Sequence, residues 1–173
     1  MTTGPGGGPG AGVGVGGEVT TPALPNGPPT SNVRSDPWRR SYVVAMIYAA
    51  LVLAALAAAL HVYIWWLESI AWTTPAARKV FRTSPAEAEA TKFLAYNQGY
   101  YNLFLALMVV AGIIAYAVGQ VIVGLTLVMA GVGAMALAAV VLASASAAHR
   151  QAAMRQGLFP VLALVAAAVH LAL

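Results

Sequence analysis

Two long stretches of this chain carry no formal charge: the 27 residues between Arg40 and Glu68, and the 57 between Lys92 and Arg150. A helix that crosses a bilayer needs about 20 predominantly apolar residues, so the first stretch has room for one span and the second for two. A fourth apolar run, Leu158 to Leu173, has only 16 residues. It crosses only if its helix begins nearer Ala153 or the bilayer thins locally. Charged residues make up 8% of the chain and hydrophobic ones 60%, against the roughly 25% charged usage of soluble domains. The expected fold class is therefore all-α, an integral membrane bundle of four transmembrane helices, preceded by a disordered N-terminal tail.

That tail is residues 1–40, and the transmembrane domain is 41–173. The first 40 residues hold ten glycines and seven prolines with almost no large apolar side chains. Such a segment cannot bury enough surface to offset the entropy of ordering it. It contains a GxGxxG-like spacing, but no strand precedes it and no helix follows, so a dinucleotide loop is not indicated. Nor is it a cleavable signal, because Arg39 and Arg40 precede about 25 apolar residues, longer than an h-region. The net charge of +4 and the pI near 9.7 raise the question of nucleic acid. The nine Lys and Arg residues, however, sit at span ends and form no basic stripe with aromatics, so no nucleic-acid partner is expected. With no cysteine, the chain has no disulfide, thiol nucleophile or thiolate metal ligand.

Local signals divide the spans. The first runs from about Ser41 to Trp72 and ends in Tyr63, Trp65, Trp66 and Trp72, an aromatic belt of the kind found at headgroup level. Thr74 before Pro75 fits an N-cap with proline at the first helical position, opening a short basic segment at 78–82 that lies at the interface. Ser84, Pro85 and Glu87 make a capping box, so the second long helix starts some ten residues before its apolar part. A turn at Tyr116 to Gln120 leads to a third span ending near Ala143. Gly124, Gly131, Ala134 and Ala138 on it allow close helix approach. A polar link, Ser144 to Gln156, precedes the fourth.

Alternating spans place the first and third connections on one side. They carry six positive charges (Arg78, Lys79, Arg82, Lys92, Arg150, Arg155) against three beside the tail (Arg34, Arg39, Arg40). The positive-inside rule then puts those connections in the cytoplasm and both termini outside.

Nearly all the polar chemistry of the apolar part falls between Leu60 and Phe104: His61, Glu68, Asn97, Gln98, Tyr101 and Asn102. Polar groups in hydrocarbon mark a site by default. His61 and Glu68 are seven residues apart, nearly two helical turns, and share a face about 10 Å apart in depth. Gln98 and Asn102, four apart, share a second face, with Asn97 and Tyr101 beside them. An antiparallel hairpin gathers these groups in one leaflet, next to Ser144, Ser146, His149 and Gln156 of the third connection. The opposite leaflet has little beyond Gln120 and His170, so the pattern reads as a polar half-site open to one side, not a channel. The amides also have a plainer role as interhelical glue, worth about 0.6–2 kcal/mol each. His61, Glu68 and His149 lack the spacing of a known metal motif, and no metal or cofactor is expected.

The runs HVYIWWLE at 61–68, WTTP at 72–75, RKVF at 78–81 and TK at 91–92 followed by LAYNQGYYN at 94–102 together resemble the domain-of-unknown-function 1304 family. These are small bacterial four-helix membrane proteins, some labelled "epimerase" without a mechanism. The resemblance is strong over about 60–106, weaker through the last two spans, and does not reach the tail. This chain departs from the family pattern at Leu103, where glycine is usual, and at Ala86-Glu87. The resemblance implies the fold, a site region and a multi-pass place in the bacterial inner membrane, and it implies no settled activity.

Three functions stay open on the residues. One is a binding protein whose half-site holds or passes a small or lipid-like ligand. Another is a membrane isomerase or epimerase of a lipid-soluble substrate, in which His61 and Glu68 move the proton. The third is structural service in a membrane complex. The lipid bilayer is the expected partner in each, and oligomeric state is left open.

Overall fold

The computed structural model describes residues 37–145, Ala147 and 150–173, together with Gly10 and Gly12. The expected tail, but for Pro37 to Arg40 and those two glycines, lies outside the described residues, as do Ser146 and His149. Of the two units into which the chain divides, 1–33 and 34–173, the second carries every described element.

α1 spans Pro37–Trp65 and continues into a π-helical turn, Trp66–Ile70. It starts four residues before the expected Ser41, with a proline at its opening, where the missing N–H costs nothing. The short α2, Pro75–Phe81, and three long helices follow: α3 at Pro85–Ala117, α4 at Val121–Ala145 and α5 at Arg150–Ala172. Four helices, counting α1 with its π turn, are long and apolar enough to cross a membrane. This is a multi-pass membrane protein. The fourth span has its needed length because α5 begins at Arg150, further out than Ala153.

The connections follow their local signals. Thr74 caps α2, its hydroxyl accepting from Ala77 N at 3.3 Å and donating to Ala71 O at 2.7 Å. Arg82 ends that helix in the left-handed region, at φ 57°. Ser84 and Glu87 form the reciprocal capping box at the start of α3. Gly119, at φ 87°, makes the turn into α4, a conformation open to glycine without strain. Phe81 packs on Leu67, Ala71 and Ala77, which fastens α2 beneath the π turn. Trp72 does more than sit in a belt, since its Nε1 donates to Ala88 O of α3 at 2.9 Å.

Around the bundle α1 neighbours α3 and α5, and α4 neighbours the same two, so α1 and α4 face each other across a diagonal. The core between them is small-chained: Ala54, Ala57 and Ala58 of α1, Ala106 and Val109 of α3, Val132 and Met135 of α4, and Ala163 of α5. Without a hydrophobic drive between helices in lipid, close backbone contact has to hold them together. A Cβ on Gly112 would stand 2.8 Å from Gly124 O and from Val128 N, so α3 and α4 meet backbone to backbone. Gly157 likewise faces Ala139 across α5 and α4. Gly131 and Gly124 are buried as expected of packing residues, while Ala134 and Ala138 are half-buried. The outer surface is apolar, with Val52, Val110, Ile122, Leu137 and Val165 exposed, as contact with acyl chains requires.

Two polar contacts tie the ends. Arg82 donates to Oε1 of Gln151 at 2.9 Å, so the first connection and the start of α5 lie at the same end of the bundle. At the other end His170 Nδ1 donates to Val43 O, also at 2.9 Å, joining α5 to α1.

Candidate functional site

Depth can be counted along the helices. Fifteen residues separate Asn102 from Ala117, the last of α3, which at 1.5 Å per residue is roughly 22 Å. Tyr48 of α1 lines the same outer groove as Ala117, and His61 is thirteen residues beyond it, roughly 20 Å. His61 and Asn102 therefore share a depth, inside a hydrocarbon layer about 30 Å thick and toward the end that carries α2.

His61 has no exposed surface. It closes the buried stripe of α1 that runs through Ile47, Ala50, Leu51, Ala54, Ala57 and Ala58. Its Nδ1 lies 2.9 Å from Ala57 O, and because a carbonyl only accepts, Nδ1 is the donor. The other ring nitrogen, Nε2, is buried and has no protein partner. One turn further on, the indole Nε1 of Trp65 is also buried without a partner. The Trp65 ring meets Tyr100 edge-on at a centroid distance of 6.2 Å, and Tyr100 in turn meets Phe104 at 6.1 Å. Tyr100 of α3 thus stands against the Trp65 indole, with Phe104 next to it on the same helix.

Glu68 and Asn102 come together across α1 and α3, Asn102 Nδ2 donating to Glu68 Oε2 at 2.8 Å. The same amide lies 3.3 Å from Gln98 O on its own helix, which holds the side chain in place. The π turn makes the meeting possible. A π turn closes on the fifth residue rather than the fourth, here with Ala71 N on Trp66 O at 2.9 Å. The extra residue per turn rotates Glu68 away from the position that an unbroken α-helix would give it. The turn is held against α3 by Ser69 Oγ, which donates to Tyr96 O at 3.0 Å. Gly99 is where this approach is closest: a Cβ there would collide with Ser69 Oγ and lie 3.1 Å from Glu68 Cβ. Among the described residues the one ion pair is Lys92 with Glu89, at 3.6 Å on the surface, so Glu68 has no cationic partner there.

The six residues singled out by sequence separate into two groups. His61, Glu68 and Asn102 face the bundle interior, whereas Asn97, Gln98 and Tyr101 are exposed on its outside. The α-helical repeat explains the division. As far as Val109 the buried stripe of α3 is Ala88, Ala95, Gly99, Asn102, Ala106 and Val109. At about 100° per residue Gln98 lies roughly 60° from the stripe's centre, Tyr101 roughly 120° and Asn97 roughly 160°. Gln98 shares a turn with Asn102 but stands on the flank. In depth Asn97 and Gln98 are roughly 28–30 Å from the far turn, at the level of the headgroups. The expected polar link from Ser144 to Gln156 is shorter, at 146–149: Ser144, exposed, belongs to the end of α4 and Gln156, half-buried, to the second turn of α5.

Trp65, Ser69 and Gly99 adjoin His61, Glu68 and Asn102 in the structure and are not among those six. By sequence Trp65 lies both in the aromatic belt and, four residues from His61, on the stripe that His61 and Glu68 share. Ser69 and Gly99 depend on which helix faces which, and local sequence carries no sign of that. Among the described residues no three His, Cys, Asp or Glu side chains stand together as a metal site. What the interior offers is a bare acceptor, a bare donor and a carboxyl held by an amide.

Over residues 55–168 the chain matches the model of a family described as Protein of unknown function (DUF1304). The chain belongs to that family. The matched stretch runs from the middle of α1 to near the end of α5 and includes His61, Trp65, Glu68 and Asn102 as well as the outward-facing Asn97, Gln98 and Tyr101. No curated protein and no solved structure matches the chain.

Proposed function

We propose that this DUF1304 protein is a membrane-embedded binding protein, whose interior at His61, Trp65, Glu68 and Asn102 holds a small or lipid-like ligand in the leaflet nearer α2. The observation that carries this reading is Nε2 of His61, a polar atom with no exposed surface and no protein partner at hydrocarbon depth. Leaving such an atom unsatisfied costs about 1–3 kcal/mol. A chain needing only packing at that place would be better served by leucine or phenylalanine. Reading His61 and Glu68 as the proton-moving pair of an isomerase is less well supported, because the Glu68 carboxyl is already engaged by Asn102. We also assign the first and third connections to the cytoplasmic face of a bacterial inner membrane, on the six-to-three distribution of positive charge.

The test compares small molecules and lipids retained by wild-type protein and by His61→Phe, each purified from membranes and extracted for mass spectrometry at equal protein. At least one species should be retained about tenfold more by the wild type. Equal contents, with the variant more stable than the wild type, would make His61 a packing residue and end the binding reading.

A further inference from the structure

We propose that the group held between His61 and Trp65 is a neutral hydroxyl, the head of an alcohol-bearing amphiphile. This deepens the binding reading above and rests on it. With Nδ1–H given to Ala57 O, the Nε2 of the neutral ring is an acceptor and nothing else. Whatever meets it must donate. The indole Nε1 of Trp65 is a donor and nothing else, so whatever meets it must accept. Residues four apart on a helix have Cβ atoms roughly 5–6 Å apart, so the two unpartnered nitrogens belong to side chains on neighbouring turns of one helix face.

Few chemical groups meet both demands at this depth. A carboxylate, phosphate or carbonyl would satisfy Trp65 and leave Nε2 without a donor. An ammonium would satisfy Nε2, leave Trp65 without an acceptor and bring a charge into hydrocarbon. A hydroxyl donates and accepts at once and carries no charge. Tyr100, edge-on to Trp65, and Phe104, next to Tyr100 and exposed, offer the apolar surface along which the chain of such a molecule would lie. Water has the same two capacities as an alcohol, so the test must separate them.

The probes are 1-tetradecanol and its methyl ether, which differ in the O–H alone. They are titrated into the full-length chain, with indole and imidazole nitrogens labelled with nitrogen-15, in dodecylphosphocholine micelles, a detergent without hydroxyls. Trp65→Phe assigns the Trp65 indole resonance and His61→Phe the imidazole ones. The alcohol should move Trp65 Nε1–H and His61 Nε2 together and saturate, the ether should need at least tenfold more, and His61→Phe should erase the difference. If His61→Phe does not fold, Trp65→Phe serves in its place through the His61 resonance. If neither folds, the wild-type comparison of alcohol with ether decides alone. Equal titration by both probes, no movement with either, or a water that neither displaces from the indole N–H would overturn the hydroxyl assignment. Recovery of an acid-, amine- or carbonyl-headed species from wild type but not from His61→Phe would overturn it while leaving the binding reading in place.

Discussion

Asn102 shows how much one residue can do at the right angular position. Its amide is the one side chain of α3 that reaches the carboxyl of Glu68, and it is itself held by Gln98 O. Truncating it leaves a carboxyl in the interior without its donor, a loss of about 1–3 kcal/mol. Asn102→Ala should therefore lower the unfolding midpoint in detergent, and so should Glu68→Ala. In the double variant the second loss should be smaller than in the first, with a coupling energy of about 0.6–2 kcal/mol. Additive losses measured by reversible unfolding would mean that the two side chains do not bond. Asn97→Ala, on the outward side, should change stability by less than about 0.5 kcal/mol.

The π turn is the element on which the site depends. It turns Glu68 toward α3 and is pressed there by Ser69 against Gly99 and Tyr96 O. Gly99→Ala adds a methyl group that meets Ser69 Oγ, so it should destabilise the protein by about 1–3 kcal/mol through overpacking. Ser69→Ala removes the oxygen that the methyl would strike. The double variant should recover part of the loss, a rescue unexpected if the damage came from helix propensity, since alanine is the better helix former. Thermal unfolding of the three variants checks this, and a Gly99→Ala protein as stable as the wild type would show that the helices are further apart.

For the whole molecule the open variable is which way it sits in the membrane. The bond between Arg82 and Gln151 joins the first connection to the start of α5 at one end, where six of the nine cationic residues collect. The chain has no cysteine, so single ones can be placed at will. Thr30→Cys should react with an impermeant thiol reagent on intact cells and Ser84→Cys should not. The reverse pattern would invert the orientation and leave the bundle unchanged.

What the sequence by itself determined is what short-range chemistry controls. Length of uncharged chain counted the spans, and Thr74-Pro75, Ser84 with Glu87 and the stretch from Tyr116 to Gln120 placed helix ends and the turn, because caps and turns act within a few residues. It also put His61, Glu68 and the α3 amides toward one end of the bundle. It did not determine which of those groups face one another. A helix in lipid is apolar on both its inner and outer faces, so the pattern that marks the buried side of a soluble helix is weak here, and Gln98 reads the same as Asn102. Only tertiary packing distinguished them, by fixing which stripe of α3 lies against α1. The same packing set the π turn that brings Glu68 to Asn102, and it closed the bundle around His61 Nε2 and Trp65 Nε1 without giving either a protein partner.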